Sequence, residues 1–327
     1  MRLLPLPILL LLANWVHANA PVDKQQPLLD SSSSYTTPLL ELHKSLIEHE
    51  STSGNEHGVA EWLASYLRDR NFTVETQEVE PATPSQGARL NVFAYVGERR
   101  ATRTLVTSHI DTVPPYWPYE RRGDEIWGRG SVDAKASVAT QIIAVQELLA
   151  AGGIDEGDVA LLYVVGEENS GAGMRKANDL GLSWETVIFG EPTELKLGTG
   201  HKGSMGFVVK AKGKAGHSGY PELGKNANNM LISALHGLHG VELPWSEKYG
   251  NTTLNIGRLE GGVAANVIAE DASATLAVRV AIETPALVEK IVLDALRKSG
   301  QELDIEVRHG HGPVPIDSDV EGKSPHF

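Results

Sequence analysis

Among the side chains between residues 109 and 191 that can bind divalent cations or move protons, six stand out by their positions. Three short apolar segments, at residues 105–108, 163–165 and 188–189, end abruptly at or near such side chains. An α/β sheet delivers polar ligands to the carboxyl ends of its strands in this way. The six residues are His109, Asp111, Asp133, Glu167, Glu168 and Glu191. Their types and order predict a hydrolase with two metal ions.

The histidine and the aspartate of the first segment are separated by one residue. Because side chains alternate along a strand, His109 and Asp111 should point to the same side. The carboxylate can then fix or polarise the imidazole, as metal-binding histidines commonly require. A His-x-Asp pair that only decorates a surface has the same spacing, so the pair alone does not decide between the two interpretations.

Asp133 and the Glu167-Glu168 pair also have two interpretations each. Asp133 stands between a glycine-rich turn and a predicted helix, so it can be the N-cap of that helix or a bridge between two cations. Glu167 and Glu168 follow a buried-looking strand, where adjacent like charges are costly unless cations or protons relieve them. They can lie in a solvated loop, or one can bind metal while the other acts as general base. Glu191 adds a carboxylate at a further strand end.

The composition limits the chemistry and the partners. Carboxylates and imidazole without thiolate favour zinc, with cobalt or manganese as alternatives. The chain has no cysteine, which excludes a thiol nucleophile and leaves stability to the core and to metal. The formal net charge of −13 argues against a basic surface for phosphate. We therefore expect no nucleic-acid partner and no membrane partner.

Strands and helices alternate around the six residues. A capping box of Ser53 and Glu56 indicates the first helix, and a helix follows Asp133. The predicted elements are helix 56–70, strands 73–79, 90–96 and 104–108, a helix from Asp133 to Gly152, strand 159–165, helix 171–180 and strand 186–189. This order predicts an α/β fold with a three-layer, mostly parallel catalytic sheet over residues 39–198.

The pattern changes near residue 199, which predicts a second domain. Its predicted elements are strand 205–212, helix 226–240, strands 252–259 and 272–281, a helix starting at Pro285, and strand 303–307. The order βαββαβ is that of a ferredoxin-like unit. We therefore expect an inserted lid or dimerisation domain over residues 199–309, which would leave the site in a cleft.

The first residues have the features of an export signal. Arg2 precedes the apolar residues 3–12, and Ala18-Asn19-Ala20 fits the cleavage pattern, so residues 1–20 are predicted to be a signal peptide. The alternative is a membrane anchor, but the apolar run is about half of the roughly 20 residues that a bilayer requires. Residues 21–38 are polar and predict a flexible linker. We expect a secreted, extracellular protein, whose glycosylation sequons begin at Asn71 and Asn251.

Four motifs together resemble a known family. They are S-H-I-D-T-V-P at residues 108–114, G-R-G-S-V-D-A-K at 128–135, the Glu167-Glu168 pair, and G-E-P-T at 190–193. This set resembles the co-catalytic zinc metallopeptidase family of aminoacylases, glutamate carboxypeptidases and succinyl-diaminopimelate desuccinylases. The resemblance covers roughly residues 36–318. Within the family, the chain looks most similar to secreted fungal probable carboxypeptidases.

The resemblance implies a ligand set for two zinc ions per subunit. His109, Asp133 and Glu191 would hold one zinc ion. Asp133 would bridge to a second zinc ion, which Glu168 would also hold. Asp111 would orient His109.

The resemblance also implies a reaction. Glu167 would be the general base that deprotonates a metal-bridging water, and the water would attack an amide bond next to a free carboxylate. The substrate would be a peptide or an N-acyl amino acid. Deacylation of N-acyl amino acids is therefore the alternative to carboxypeptidase activity.

Three residues of the second domain match family positions that bind substrate. His217, in Gly216-His217-Ser218, would stabilise the oxyanion, which in several relatives is done from the partner subunit. Asn266 and Arg279 would receive the substrate carboxylate, for which the fork of an arginine is suited. The alternatives are a turn residue for His217, a turn former for Asn266 and an exposed strand residue for Arg279. A homodimer formed through this domain is implied as well.

One part of the family pattern has no counterpart in this sequence. The family completes the second zinc site with a histidine near the end of the chain, on a segment that returns to the catalytic sheet. Residues 310–327 would be only the start of that segment, so we expect the catalytic domain to lack its C-terminal part. His309, His311 and His326 do not stand in a resembling context. The alternative function is a truncated, catalytically silent chain that keeps one zinc site or acts only as a dimerising lid.

Overall fold

The computed structural model describes residues 35–80, 88–198 and 200–315, and the chain divides into two compact units. The first unit ends at Pro192 and the second begins at Thr193, whereas the sequence predicted the change at residue 199. The predicted signal peptide, residues 1–20, lies outside the described residues, as do residues 21–34 of the predicted linker and His326.

The first unit alternates between helices and strands close to their predicted positions. A short 3-10 helix, Asn178–Leu180, follows its fourth α-helix. The elements in chain order are α1 (Thr36–Glu48), α2 (His57–Arg68), β1 (Phe72–Val79), β2 (Arg89–Val96), β3 (Thr104–His109), β4 (Glu120–Arg122), β5 (Glu125–Trp127), α3 (Lys135–Ala150), β6 (Val159–Val164), α4 (Ala172–Ala177) and β7 (Thr186–Phe189).

Five of these strands form the central sheet, in the order β1-β2-β6-β3-β7. Strand β3 lies parallel to both β6 and β7, whereas β2 is antiparallel to β1 and to β6. The predicted α/β class is confirmed. The sheet is mixed, however, and its parallel pairings are limited to the three strands that are joined by helical crossovers. Because these three strands run in one direction, their carboxyl ends meet at one edge.

The sheet is covered on both faces, which gives the three predicted layers. Helices α1, α2 and α3 contribute Leu46, Leu63 and Ile142 to a core on one face. On the other face, Phe93 and Leu162 of the sheet pack with residues of α4 and of the 3-10 helix. Side chains alternate along each strand, so β2, β3, β6 and β7 supply both cores, whereas the edge strand β1 supplies only the first.

Helix α1 was not predicted from the sequence, which assigned a linker to residues 21–38 and its first helix to residues 56–70. The helix begins at Thr36, and its N-cap residue Tyr35 makes no side-chain capping hydrogen bond. The usual sequence signal for a helix start is therefore missing. The helix is held instead by tertiary packing, since Leu42, Leu46 and Ile47 are buried.

The predicted capping box at the start of α2 is wrong. Glu56 occupies the N-cap position, and no side chain caps the helix. The Ser53 hydroxyl donates a hydrogen bond to the carboxylate of Asp111 at 2.8 Å, and Glu56 is fully buried beside Arg89. Long-range partners in the interior have replaced the local capping bonds.

The second unit is mostly antiparallel. Its short segments include a 3-10 helix at Pro221–Leu223. The elements are β8 (Gly200–His201), β9 (Gly203–Lys212), β10 (Gly216–His217), α5 (Ala227–His236), β11 (Trp245–Ser246), β12 (Gly250–Asn251), β13 (Thr253–Gly261), β14 (Val267–Ile268), β15 (Asp271–Val280), α6 (Pro285–Arg297), β16 (Asp304–His311) and β17 (Val314–Pro315).

A four-stranded antiparallel sheet, in the order β13-β15-β9-β16, organises this unit. Helices α5 and α6 pack against it around one hydrophobic core, so the predicted ferredoxin-like order is confirmed. Asn226 caps α5 by accepting hydrogen bonds from the backbone N–H groups of Asn228 and Asn229. In the part of the chain that the structure describes, no helix has both the length and the apolar character needed to cross a membrane.

Candidate metal centre

The first unit gathers the predicted metal ligands at the carboxyl edge of its parallel strands. His109 is the last residue of β3, Glu168 follows β6, and Glu191 follows β7. The segment that carries Glu191 is tied to β3, because the Ser108 hydroxyl donates to the carbonyl of Gly190 at 2.8 Å. Three neighbouring strands therefore fix the backbone from which these ligands project.

The imidazole of His109 is buried and has a defined orientation. Its Nδ1 atom lies 2.9 Å from the backbone carbonyl oxygen of Asp111, and a carbonyl can only accept a hydrogen bond. Nδ1 therefore carries the hydrogen, and Nε2 faces the carboxylates. The distance from Nε2 to Asp133 Oδ1 is 3.1 Å, and the distance to Glu191 Oε2 is 3.8 Å.

Three of the predicted ligands form a compact group. One ligand atom from each of His109, Asp133 and Glu168 lies within 4.8 Å of the others. One imidazole nitrogen and two carboxylate oxygens are a donor set that fits zinc and other divalent cations. The interpretation of Asp133 as a helix N-cap is wrong, since Ala134 is the N-cap of α3 and no side chain caps that helix.

The cluster concentrates negative charge. Burial raises the pKa of Glu191 to about 7, and the nearby Glu167, Asp133 and Glu168 add to the shift. Burial also raises the pKa of Glu168, with Asp133 as the next contributor. Although burial lowers the pKa of His109, its hydrogen bonds to Asp111 and Asp133 raise that pKa to about 11. Such a group of carboxylates is relieved by protons or by a bound cation.

Asp111 holds both the histidine and the turn that bears Glu167 and Glu168. Its carboxylate is fully buried, and Oδ1 lies 3.5 Å from His109 Nδ1. The same carboxylate accepts hydrogen bonds from the backbone N–H groups of Glu167 at 3.0 Å and Glu168 at 3.2 Å. Burial raises the pKa of Asp111, but hydrogen bonds from His109 and Ser53 lower it further than burial raises it. The sequence had indicated only the contact with His109.

Three supporting residues were missed by the sequence analysis. Ser53 donates to Asp111. Lys135 is 1 % exposed, and burial lowers its pKa to about 7. Arg89 is 2 % exposed, and its guanidinium packs against Gly166, in the turn before Glu167. The packing is so close that a Cβ atom added to Gly166 would lie 2.7 Å from Arg89 Nη1. Ser53 matched a capping motif instead, and no local pattern marks Lys135 and Arg89 as buried, because charged side chains are usually exposed.

The second unit holds the three predicted substrate-binding residues. His217 pairs with Val267 in the β10–β14 ladder, and the N–H of Ser218 donates to the carbonyl of Asn266, so His217 and Asn266 lie close together. His217 also has a turn role, since its Nδ1 accepts from the N–H of Gly219 at 3.0 Å. Arg279 lies on β15 and is exposed.

The predicted glycosylation sites have accessible side chains. Asn71 precedes β1, and Asn251 ends β12; both are exposed. Exposure is a requirement for the modification of a sequon.

A family model described as "Peptidase dimerisation domain" matches residues 199–303. This range covers most of the second unit. A peptidase M20 domain-containing protein of Schizosaccharomyces pombe is 48% identical over 287 residues, which cover 87% of this chain and 70% of the relative. A probable carboxypeptidase of Talaromyces marneffei is 43% identical over 323 residues, which cover 88% of this chain and 71% of the relative.

The fold is also similar to that of solved structures. A crystal structure of an M20 family metallo-carboxypeptidase from Sulfolobus solfataricus matches with a TM-score of 0.62 and 19% sequence identity. The match covers 84% of this chain and 79% of that chain. At this level of identity, the similarity concerns the fold.

Proposed function

The chain belongs to the M20 peptidase family and is a peptidase-type hydrolase, and from this premise we propose that it is a secreted zinc-dependent carboxypeptidase. It cleaves an amide bond next to a free carboxylate. The observation that carries the proposal is the cluster of His109, Asp133 and Glu168, whose ligand atoms lie within 4.8 Å of one another.

The donor set of the cluster supports a divalent cation. His109 offers Nε2, Asp133 and Glu168 offer carboxylate oxygens, and Glu191 has a carboxylate oxygen 3.8 Å from Nε2. We assign Asp133 as the residue that serves two cations, because its carboxylate has two oxygens and only Oδ1 lies 3.1 Å from His109 Nε2. These residues would hold a cation, which would supply polarisation of the scissile carbonyl and a lowered pKa of water.

Glu167 is the proposed general base. Its backbone N–H is fixed by Asp111, and its side chain is exposed and close enough to raise the pKa of Glu191. A carboxylate in that position takes a proton from the attacking water and delivers it to the leaving amine. Asp111 does not exchange protons in this scheme, since it is buried and its pKa is lowered.

The second unit supplies the groups that we assign to substrate recognition. Among the described residues, no hydrogen bond or ion pair engages the guanidinium of Arg279. A free fork of this kind can bind a substrate carboxylate through two parallel hydrogen bonds. Asn266 assists this binding, and His217 stabilises the oxyanion.

Export is a separate part of the proposal. It is supported by the signal-like residues 1–20 and by the exposed sequons at Asn71 and Asn251. The mature chain recovered from a eukaryotic culture medium should begin near Pro21, and treatment with an N-glycosidase should lower its mass. A chain that stays inside the cells with residues 1–20 intact would contradict this part.

The central experiment measures zinc content and hydrolysis on the same purified chain. A panel of peptides with free and amidated carboxyl ends, together with N-acyl amino acids, separates carboxypeptidase from deacylase activity. We expect bound zinc and cleavage of peptides with a free carboxyl end but not of amidated peptides. Cleavage of N-acyl amino acids alone would indicate a deacylase instead. Glu167→Gln should lower turnover about 100- to 10,000-fold without loss of zinc.

The matched control is Glu185→Gln, which changes an exposed glutamate paired with Arg103 at 3.4 Å. This variant should keep full turnover. A wild-type chain that binds zinc but cleaves nothing in the panel would contradict the proposed activity and support a catalytically silent protein. Equal turnover by Glu167→Gln would contradict the role of Glu167.

A further inference from the structure

The loop of residues 128–135, which carries Asp133, is fastened to the carboxyl end of α1 by two buried side chains. Lys135 donates from Nζ to the backbone carbonyls of Leu46 and His49, both at 2.8 Å. From α1, His43 donates from Nε2 to the carbonyl of Ser131 at 3.0 Å. The loop is therefore held on both sides of Asp133.

These contacts satisfy groups that would otherwise lack partners. The last carbonyls of an α-helix have no partner within the helix and carry partial negative charge. Lys135 brings a donor-rich cation to the end of α1, and its side chain is 1 % exposed. Since water does not reach this ammonium, the helix end and the lysine depend on each other for hydrogen bonds.

Close packing leaves the loop little freedom to shift. A Cβ atom on Gly128 would lie 2.6 Å from Ile47 Cγ2 of α1, and a Cβ atom on Gly130 would lie 3.0 Å from Lys135 Cδ. The backbone thus touches both α1 and the lysine stem. Movement of Lys135 would move Asp133, which stands two residues away in the chain.

We propose that Lys135 is a positioning residue for the metal centre, which sets cation affinity by fixing the loop of Asp133 against α1. The inference rests on the metal site of the proposed function. Lys135 does not touch the cation or the substrate. It acts through Asp133, whose Oδ1 lies 3.1 Å from His109 Nε2.

The alternative is a lysine that only stabilises the fold. The two roles predict different zinc affinities for a Lys135 variant that is fully folded when the affinity is measured. Groups that orient metal ligands typically change affinity about 10- to 100-fold when they are removed. A lysine that serves only stability would leave the affinity of the folded chain unchanged.

The experiment compares zinc affinity, by competition with a chromogenic chelator, in metal-stripped wild-type chain and in Lys135→Met. Methionine keeps the unbranched stem and removes the donors. We expect about 10- to 100-fold weaker zinc binding at a temperature where circular dichroism shows both chains folded. Lys176→Met, which changes an exposed lysine paired with Asp179, should bind zinc as the wild type does.

A second measurement does not use Lys135→Met and covers the case in which that variant does not fold. Coupling between two sites is reciprocal, so zinc should slow hydrogen exchange of backbone amides in the last turn of α1 in the wild-type chain. His109→Ala should abolish that protection.

The outcomes separate the two proposals. A wild-type chain that binds no zinc overturns the metal site and the role of Lys135 together. Zinc binding by Lys135→Met within twofold of the wild type overturns only the role of Lys135. Unchanged exchange in the last turn of α1 on zinc binding overturns it as well.

Discussion

The hydroxyl of Ser53 donates a hydrogen bond to the carboxylate of Asp111 across 58 positions of the chain, at 2.8 Å. This bond joins the segment before α2 to the end of β3. The same carboxylate binds His109 and the turn of Glu167 and Glu168. Ser53 therefore supports the metal centre from a distance in sequence that no local pattern shows.

Ser53→Ala should lower the stability of the chain. The substitution removes one donor from a fully buried carboxylate, and such a loss costs about 1–3 kcal/mol. The free energy of unfolding from urea denaturation checks this expectation. Ser183→Ala, at an exposed serine, should stay within about 0.5 kcal/mol of the wild type. Equal values for both variants would show that the bond contributes nothing.

Zinc should raise the melting temperature of the wild-type chain, because the cation binds the folded state. At free zinc of 100 times the dissociation constant, the gain is about 2.7 kcal/mol. A chelator should reverse it. His109→Ala should lose the shift, whereas His311→Ala should keep it, since His311 is an exposed residue of the second unit. A shift that survives in His109→Ala would place the binding elsewhere.

Glu56→Gln should reveal a pH-dependent contribution to stability. Burial raises the pKa of Glu56, and backbone hydrogen bonds and Arg89 only partly oppose the shift. A carboxyl group with a raised folded-state pKa contributes stability that is fully present below its unfolded pKa and is lost as pH rises through the folded pKa. The stability advantage of the wild type over Glu56→Gln should therefore be largest near pH 4 and shrink towards neutral pH.

Urea midpoints of both chains, measured at a series of pH values, test this expectation. The difference between the chains isolates Glu56 from the other titrating groups. An advantage that grows with pH would mean that the ion pair with Arg89, at 3.4 Å, outweighs burial.

Arg279→Lys should weaken substrate binding more than it slows the chemistry. Lysine keeps the charge but cannot form two parallel hydrogen bonds with one carboxylate. We expect KM to rise about tenfold, the equivalent of about 1.4 kcal/mol, with a smaller change in kcat. Arg258→Lys, on β13 and paired with Glu260, is the matched control and should leave KM unchanged. An unchanged KM in Arg279→Lys would remove Arg279 from carboxylate recognition.

The cluster of candidate ligands could be expected from the sequence because most of its signal is local. His109, Glu168 and Glu191 end or follow short apolar strands, and the parallel arrangement of β3, β6 and β7 gathers those strand ends at one edge. Asp133 comes from the glycine-rich loop before α3. Helix α1 could not be predicted, because its start has no capping side chain and it is held by packing. Ser53 and Glu56 matched a local capping motif, but a buried carboxylate and a buried guanidinium took their hydrogen bonds instead.

The buried charges were also beyond prediction. Lysine and arginine usually lie on the surface, so Lys135 and Arg89 were not expected to be buried. Only the tertiary structure brings backbone carbonyls close to their side chains. A hydrogen bond between a side chain and a backbone carbonyl far away in the chain produces no periodic pattern in a single sequence.

The order of strands in the first sheet has a consequence for folding kinetics. Thr107 of β3 lies beside Leu162 of β6 and beside Phe189 of β7, so the ligands meet only after long loops have closed. Such non-local parallel pairings form slowly, because the entropy of loop closure is lost before the contacts are gained. The complete set of ligands is therefore assembled only late in folding, after the parallel strands have paired. A bound cation should therefore leave the folding rate nearly unchanged and lower the unfolding rate, so that it increases the kinetic stability of the folded sheet.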